Sequence, residues 1–177
     1  MSAESLLPID RFHHTLRIVH REGGHLAYSW HRVFSEEIDV AWVSSLSDHP
    51  ERAERLEAFV SRFGRMQDTI ADKLLPRWLR ALAESPGSQI DVLNRAEQLG
   101  VLESTEDWLR ARGLRNRLIH EYMEEPEPFA EDLLAARDAT PMLLQTYNRI
   151  RQDAGQRLRT SETELPPRLD LPGLPSS

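Results

Sequence analysis

The sequence predicts an all-α fold, an up-and-down bundle of five or six helices followed by a proline-rich tail. Apolar residues recur at intervals of three and four along most of the 177 residues, which is the period of an amphipathic helix. No long stretch alternates with the two-residue period of a half-buried strand. A chain of this length usually forms one domain around one core. We therefore expect a single helical domain over residues 1–159 and a flexible tail, disordered or draped over the bundle, over residues 160–177.

The first predicted helix begins near Pro8, before a short apolar segment at residues 38–46. Gly23 and Gly24 interrupt the helical pattern, so we expect the helix to break or bend at these two residues. Its apolar stripe, which we expect to be buried, consists of Phe12, Leu16, Val19, Leu26, Trp30 and Val33.

The longest predicted helix runs from Pro50 to about Ser85. Proline suits the first turn of a helix because its missing N–H has no partner there. Pro76 lies inside the same segment, where it is expected to kink the helix or end it near Leu75. The apolar stripe of this helix follows the three-four repeat and consists of Leu56, Phe59, Phe63, Met66, Ile70, Leu74, Trp78 and Leu82.

Two capping signals predict the next helices. Ser88 is followed three residues later by Asp91, and the same pattern recurs at Ser104 and Asp107. The first of these helices should end at Gly100. The second should begin near residue 105 and end before the turn at residues 124–128.

A final helix is predicted over residues 129–151, with a kink at Pro141. Its core candidates are Leu133, Leu134, Met142, Leu143, Tyr147 and Ile150.

Composition narrows the classes of function. The chain has no cysteine, so disulfides and thiolate metal sites are excluded. Its net charge of −7 argues against a protein that coats nucleic acid over a broad surface, although a local basic site remains compatible with it. We expect a cytoplasmic protein, because no secretory signal and no membrane-spanning run is recognisable.

One octapeptide, RNRLIHEY at residues 115–122, concentrates residues suited to phosphate chemistry. Arg115 can hold a phosphate by two parallel hydrogen bonds, and His120 can carry a proton near neutral pH. Asn116 lies four residues before His120, and Tyr122 lies seven after Arg115, so a helix presents all four on one broad polar arc. We interpret Arg115 and His120 as catalytic candidates for breaking a phosphodiester without a metal, with Asn116 and Tyr122 as supporting residues.

The octapeptide resembles the Arg-x4–6-His signature of the HEPN superfamily, and more closely the Arg-x4-His-x-Tyr motif of HepT-type toxins. The resemblance extends loosely over the helical pattern of residues 51–151, while residues 1–49 match less well. It implies a homodimeric, metal-independent endoribonuclease in which two motif helices face one cleft, without a cofactor. Its reaction would leave a 2′,3′-cyclic phosphate, with His120 as the proton carrier and Arg115 as the stabiliser of phosphoryl charge.

The same resemblance implies a partner. HepT-type toxins are usually encoded beside a minimal nucleotidyltransferase that acts as the antitoxin and transfers AMP to the motif tyrosine, here Tyr122. A bulky anion beside Arg115 would block the phosphate site by occupancy and by charge.

Several other interpretations remain open. His120 and Tyr122 can be structural residues, and a non-catalytic HEPN module that binds nucleotide or a partner is the first alternative function. The helices on either side of Gly100 also resemble a helix-turn-helix, which would make the chain a DNA binder. Arg65, Asp68 and Arg112 are further candidates for the cleft, or else members of a solvated helix face.

Six of the seven histidines precede Pro50, which raises the question of a metal site. Their spacings lack the four-residue His pair of a helical zinc site, so we interpret them as surface or partly packed residues.

Overall fold

The computed structural model describes residues 6–120 and 124–173, and every regular element in these ranges is a helix, which confirms the predicted all-α bundle. In chain order the elements are α1 (Pro8–Phe34), α2 (Val40–Ser44), a 3-10 turn (Ser45–Asp48), α3 (Pro50–Thr69), a π-helical turn (Ile70–Leu74), α4 (Leu75–Ala81), α5 (Gln89–Gln98), α6 (Thr105–His120) and α7 (Pro126–Gln156). No helix in the described part of the chain is long and apolar enough to cross a membrane.

The predicted long helix is a continuous rod of α3, the π turn and α4. The rod does not end near Leu75, because the helix widens to a π turn over the residues that precede Pro76. A proline ring clashes with the carbonyl four residues earlier and supplies no N–H, and a π turn absorbs this local misfit. The helix is therefore continuous from α3 into α4, and residues of both elements can line the same side of the rod.

The core lies where α1, the rod and α7 meet, with α6 packed against α3 and α7. The predicted apolar stripes supply most of it, and Phe12, Phe63, Trp78 and Tyr147 are among the side chains that are fully buried. Burying such aromatic side chains contributes strongly to folding because each removes a large apolar area from water.

The predicted break at Gly23 and Gly24 is wrong, since α1 runs unbroken through both residues. A single glycine costs a helix only about 1 kcal/mol relative to alanine, which tertiary packing readily offsets. Gly23 is buried where the tail crosses α1, and a Cβ there would lie 2.3 Å from Leu169 Cδ1. The glycine therefore serves a close approach between α1 and the tail.

Both capping signals are present in the structure. Ser88 and Asp91 form a reciprocal capping box at the start of α5. Ser104 Oγ accepts a hydrogen bond of 3.1 Å from the backbone N–H of Asp107 and so caps α6. The start of α6, which carries the motif, is thus determined by a local sequence signal.

The tail packs against the bundle over residues 160–173, which is the draped arrangement of the two that the sequence left open. Tyr147 donates a hydrogen bond of 2.8 Å to the carbonyl of Pro167. Asn148 makes two hydrogen bonds to the backbone of Leu169, which satisfy its buried amide. A proline-rich backbone makes few internal hydrogen bonds, so its polar groups need partners elsewhere when they are buried. Side chains of α7 supply these partners.

Candidate functional site

The motif lies on α6, whose apolar residues orient the helix. Trp108, Ala111, Leu114 and Leu118 are buried, while the intervening residues face outward or lie at the rim. These residues follow the three-four spacing of an amphipathic helix, and their burial packs the apolar face of α6 against the bundle. The polar arc of α6 is therefore held in a defined position, as a site on a rigid element requires.

A groove of about 590 Å³ separates α6 from α3 and the π turn, and we call it the motif groove. Its walls are partly apolar, with Val60 from α3 opposite Leu118 and Ile119 from α6. Arg115 lies on the α6 side of the groove and Arg65 on the α3 side. Its charged lining is mixed, because Glu57, Asp68 and Asp72 also border it.

Among residues 6–120 and 124–173, Arg115 forms one ion pair in this groove. Its Nη1 donates to Asp68 Oδ1 at 2.8 Å, and its side chain is 25% exposed. Its Nε is buried without a hydrogen-bond partner. One contact to Asp68 orients the guanidinium but leaves further N–H donors available for the two-pronged recognition of a phosphate.

The side chain of Arg115 packs directly against the backbone of Gly64 in α3. A Cβ at Gly64 would lie 2.5 Å from Arg115 Nε and 3.1 Å from Arg115 Cζ, so any larger residue displaces the guanidinium. The sequence motif does not include Gly64 among the predicted site residues. A glycine in the middle of a strong helical pattern was the available signal, since such a glycine often marks a close approach.

His120 does not line the motif groove. It is the last described residue of α6 and is exposed. Residues five apart on an α-helix are separated by about 140° around the axis. The two catalytic candidates therefore do not converge on one point within a single chain.

The remaining predicted residues divide between the groove and its surroundings. Arg65 and Asp68, two of the further cleft candidates, line the motif groove with Arg115. Arg112 lies outside it and donates to Gln89 of α5, which in turn donates to Asp72 at the rim. Arg112 therefore acts on the groove only through this chain of hydrogen bonds.

Asn116 is exposed on α6, and Tyr122 lies outside the described residues. The neighbouring arginine, Arg117, pairs with Asp132 of α7 at 3.2 Å. This pair ties the end of α6 to α7 and leaves Arg115 as the motif arginine that faces the groove.

The start of α6 is unfavourable for reading DNA. Glu106 and Asp107 occupy its first turn, and both pair with Arg110, at 2.8 and 2.9 Å. A recognition helix normally approaches the duplex by its N-terminal residues, where two carboxylates repel phosphate. This arrangement disfavours the helix-turn-helix alternative.

The histidines of α1 pack individually. His20 lies against the ring of Tyr147 at 5.8 Å, and His31 lies edge-on against Trp30 at 5.1 Å. His13 is hydrogen-bonded to Thr160 of the tail. Within residues 6–120 and 124–173, no group of three or more His, Asp or Glu side chains is arranged to hold a metal ion.

Comparison of this chain with protein-family models, with curated proteins and with solved structures yields no match.

Proposed function

We propose that this protein is a metal-independent endoribonuclease of the HEPN type, active as a homodimer. The observation that supports this most is the placement of Arg115, whose guanidinium rests on Gly64 and is oriented by Asp68 at the wall of an open groove. A rigidly placed guanidinium is the group that stabilises charge developing on phosphoryl oxygens. Its neighbour along α6, His120, is exposed and available for proton transfer.

The proposed reaction is an internal transesterification of RNA. The imidazole of His120 takes the proton from a ribose 2′-hydroxyl, and the 2′-oxygen forms a bond to the adjacent phosphorus. The bond from phosphorus to the 5′-oxygen breaks, and the imidazolium formed in the first step gives its proton to that oxygen. The products are a 2′,3′-cyclic phosphate and a 5′-hydroxyl, and DNA, which lacks the 2′-hydroxyl, does not react.

The divergence of Arg115 and His120 within one chain supports a homodimer. A two-fold axis beside the end of α6 would bring His120 of one copy toward the motif groove of the other. Each groove would then combine Arg115 of its own chain with His120 of the other copy. A single chain holds these two side chains apart and cannot complete the site by itself.

We expect wild-type protein in EDTA to cleave mixed RNA to fragments that end in a cyclic phosphate. His120→Ala should lower the cleavage rate at least about a hundredfold, because general acid–base catalysis contributes that much or more. Gel analysis of the fragments, with end-group analysis by mass spectrometry, measures both results. A matched His49→Ala variant, which changes a histidine far from α6 in sequence, should keep the wild-type rate. RNA left intact by the wild-type protein, or cut equally by His120→Ala, would refute the proposal.

The size and lining of the motif groove also favour the alternative of a non-catalytic nucleotide-binding module. Its volume of about 590 Å³ and its apolar walls fall in the range of small-molecule sites. Intact RNA combined with measurable affinity for free nucleotides would support this second function.

The proposal includes a toxin–antitoxin pairing with a minimal nucleotidyltransferase, which transfers AMP to Tyr122. We expect co-expression with a transferase encoded beside this chain to add one AMP mass to the wild-type protein. Tyr122→Phe should show no addition, while Tyr28→Phe, an exposed tyrosine on α1, should be modified like the wild type. Intact-mass measurement distinguishes these outcomes. An equal addition to Tyr122→Phe would refute the transfer of AMP to Tyr122.

A further inference from the structure

The motif groove continues into a second surface depression between α1 and the rod. This depression consists of two adjoining cavities of about 530 and 310 Å³, and we call it the basic groove. The larger cavity shares Thr69 and Lys73 with the motif groove, and the smaller shares Arg11 and Arg77 with the larger. The three cavities therefore form one path that begins beside Arg115 and ends at the N-terminal end of α1.

Cations follow this path along the rod. Arg65, Lys73, Arg77 and Arg80 recur at intervals of eight, four and three residues, which keeps them near one face. At 1.5 Å per residue they span about 22 Å, over which a stacked strand presents roughly six phosphates. A chain with a net charge of −7 thus concentrates cations on one continuous track.

The balance between cationic and anionic side chains changes along the path. The motif groove is nearly balanced, since its three carboxylates oppose Arg65, Lys73 and Arg115. The larger cavity of the basic groove contains one carboxylate, Glu22, and the smaller contains arginines but no carboxylate among the residues that line it. Among the described residues that line the path, cations therefore exceed carboxylates most at the end farthest from Arg115.

Glu22 is the acidic residue that lines the middle of the basic groove in the part of the chain that the structure describes. Burial raises the pKa of its carboxyl above the usual value, against the opposing effects of a hydrogen bond from Thr69 and the charges of Arg65 and Lys73. His14, Arg11 and Arg77 line the same cavity. A raised pKa reduces the negative charge that Glu22 presents to an anion.

We infer that the path from Arg115 through Lys73 to Arg80 binds single-stranded RNA as an extended polyanion and feeds it to the motif groove. This inference rests on the proposed function and specifies the form of its substrate. Guanidinium and ammonium groups along the rod bind successive phosphates, and the apolar walls of the motif groove receive a base. A duplex keeps its bases stacked and paired, so it presents none of them to such a wall.

The test measures binding without cleavage. A 12-residue 2′-O-methyl oligouridylate carries the charge of RNA but has no free 2′-hydroxyl, so it survives whether or not the protein is a ribonuclease. Its affinity for the full-length protein is measured by fluorescence anisotropy at several salt concentrations. If the four cations of the rod each neutralise one phosphate, the slope of log K against log salt is about −2.8 for a single strand.

The variant Lys73→Gln/Arg80→Gln removes two of these cations, so its slope should fall to about −1.4. The matched control, Arg110→Gln/Arg137→Gln, removes the same charge from arginines paired with carboxylates away from the path. Its slope should equal that of the wild type. Thermal unfolding confirms that both variants are folded.

The inference is overturned if both variants weaken binding equally, because the effect is then one of net charge. It is also overturned if the oligonucleotide does not bind, or if a duplex of the same length or an anionic phospholipid vesicle binds more tightly. If the oligonucleotide binds as expected but the protein cleaves no RNA, the binding path is supported and the proposed function is refuted.

Discussion

Gly64→Ala is expected to lower RNA cleavage at least about a hundredfold while the protein remains folded. The added Cβ would lie 2.5 Å from Arg115 Nε, a separation that side chains do not tolerate. Arg115 is a long, flexible residue at the wall of an open groove, so it can swing away and the backbone need not move. The substitution is therefore expected to slow catalysis rather than unfold the protein. Removing one positioned donor to a phosphoryl or carbonyl oxygen typically lowers the rate by about 10²–10³.

The matched control is Gly113→Ala on the neighbouring helix. A Cβ at Gly113 would lie 3.6 Å from Arg117 Nη1, which is an ordinary van der Waals contact. Its cleavage rate should equal that of the wild type, and both variants should unfold at or above the wild-type temperature because alanine favours helix. Full cleavage by Gly64→Ala would show that the position of Arg115 in the groove is irrelevant to the reaction.

Local signals in the sequence predicted much of the fold. The capping pair at Ser88 and Asp91 predicted the start of α5, and Pro50 predicted the start of α3. These signals succeed because caps and first-turn prolines act within a few residues. The helical stripes were equally predictable, since a three-four apolar repeat can be buried only by helix packing.

Features that depend on distant parts of the chain were not predictable. Gly23 appeared to be a helix breaker, but its role is to admit Leu169 of the tail. The proline-rich composition of the tail left disorder and a draped arrangement equally open, and the hydrogen bonds from Asn148 and Tyr147 of α7 to its backbone distinguish them. In each case the partner lies outside any local window of sequence.

The candidate site divides in the same way. Motif spacing predicted Arg115 and its neighbours on α6, and helix periodicity suggested that Arg65 and Asp68 border the same cleft. Gly64 and Lys73 were not identified, because their roles follow from how the rod packs beside α6 and α1. The angular separation of Arg115 and His120 follows from their five-residue spacing, but which of them faces the groove emerged from the structure.

Arg115→Ala and His120→Ala, each inactive alone, are expected to restore activity when their subunits are mixed. In a two-fold dimer, a site assembled from Arg115 of one copy and His120 of the other is intact once in every mixed dimer. Random exchange makes about half of the dimers mixed, and each has one intact site of two, so about a quarter of the wild-type rate should return. Gly64→Ala should complement His120→Ala in the same way but should not complement Arg115→Ala.

This complementation, measured as the cleavage rate of mixed RNA after the two variants are refolded together, tests most directly whether two copies build one site. Recovery of about a quarter of the wild-type rate is the predicted result. Failure to recover activity, with mixed dimers verified by mass spectrometry or with the protein shown to be strictly monomeric, would contradict a site shared between subunits.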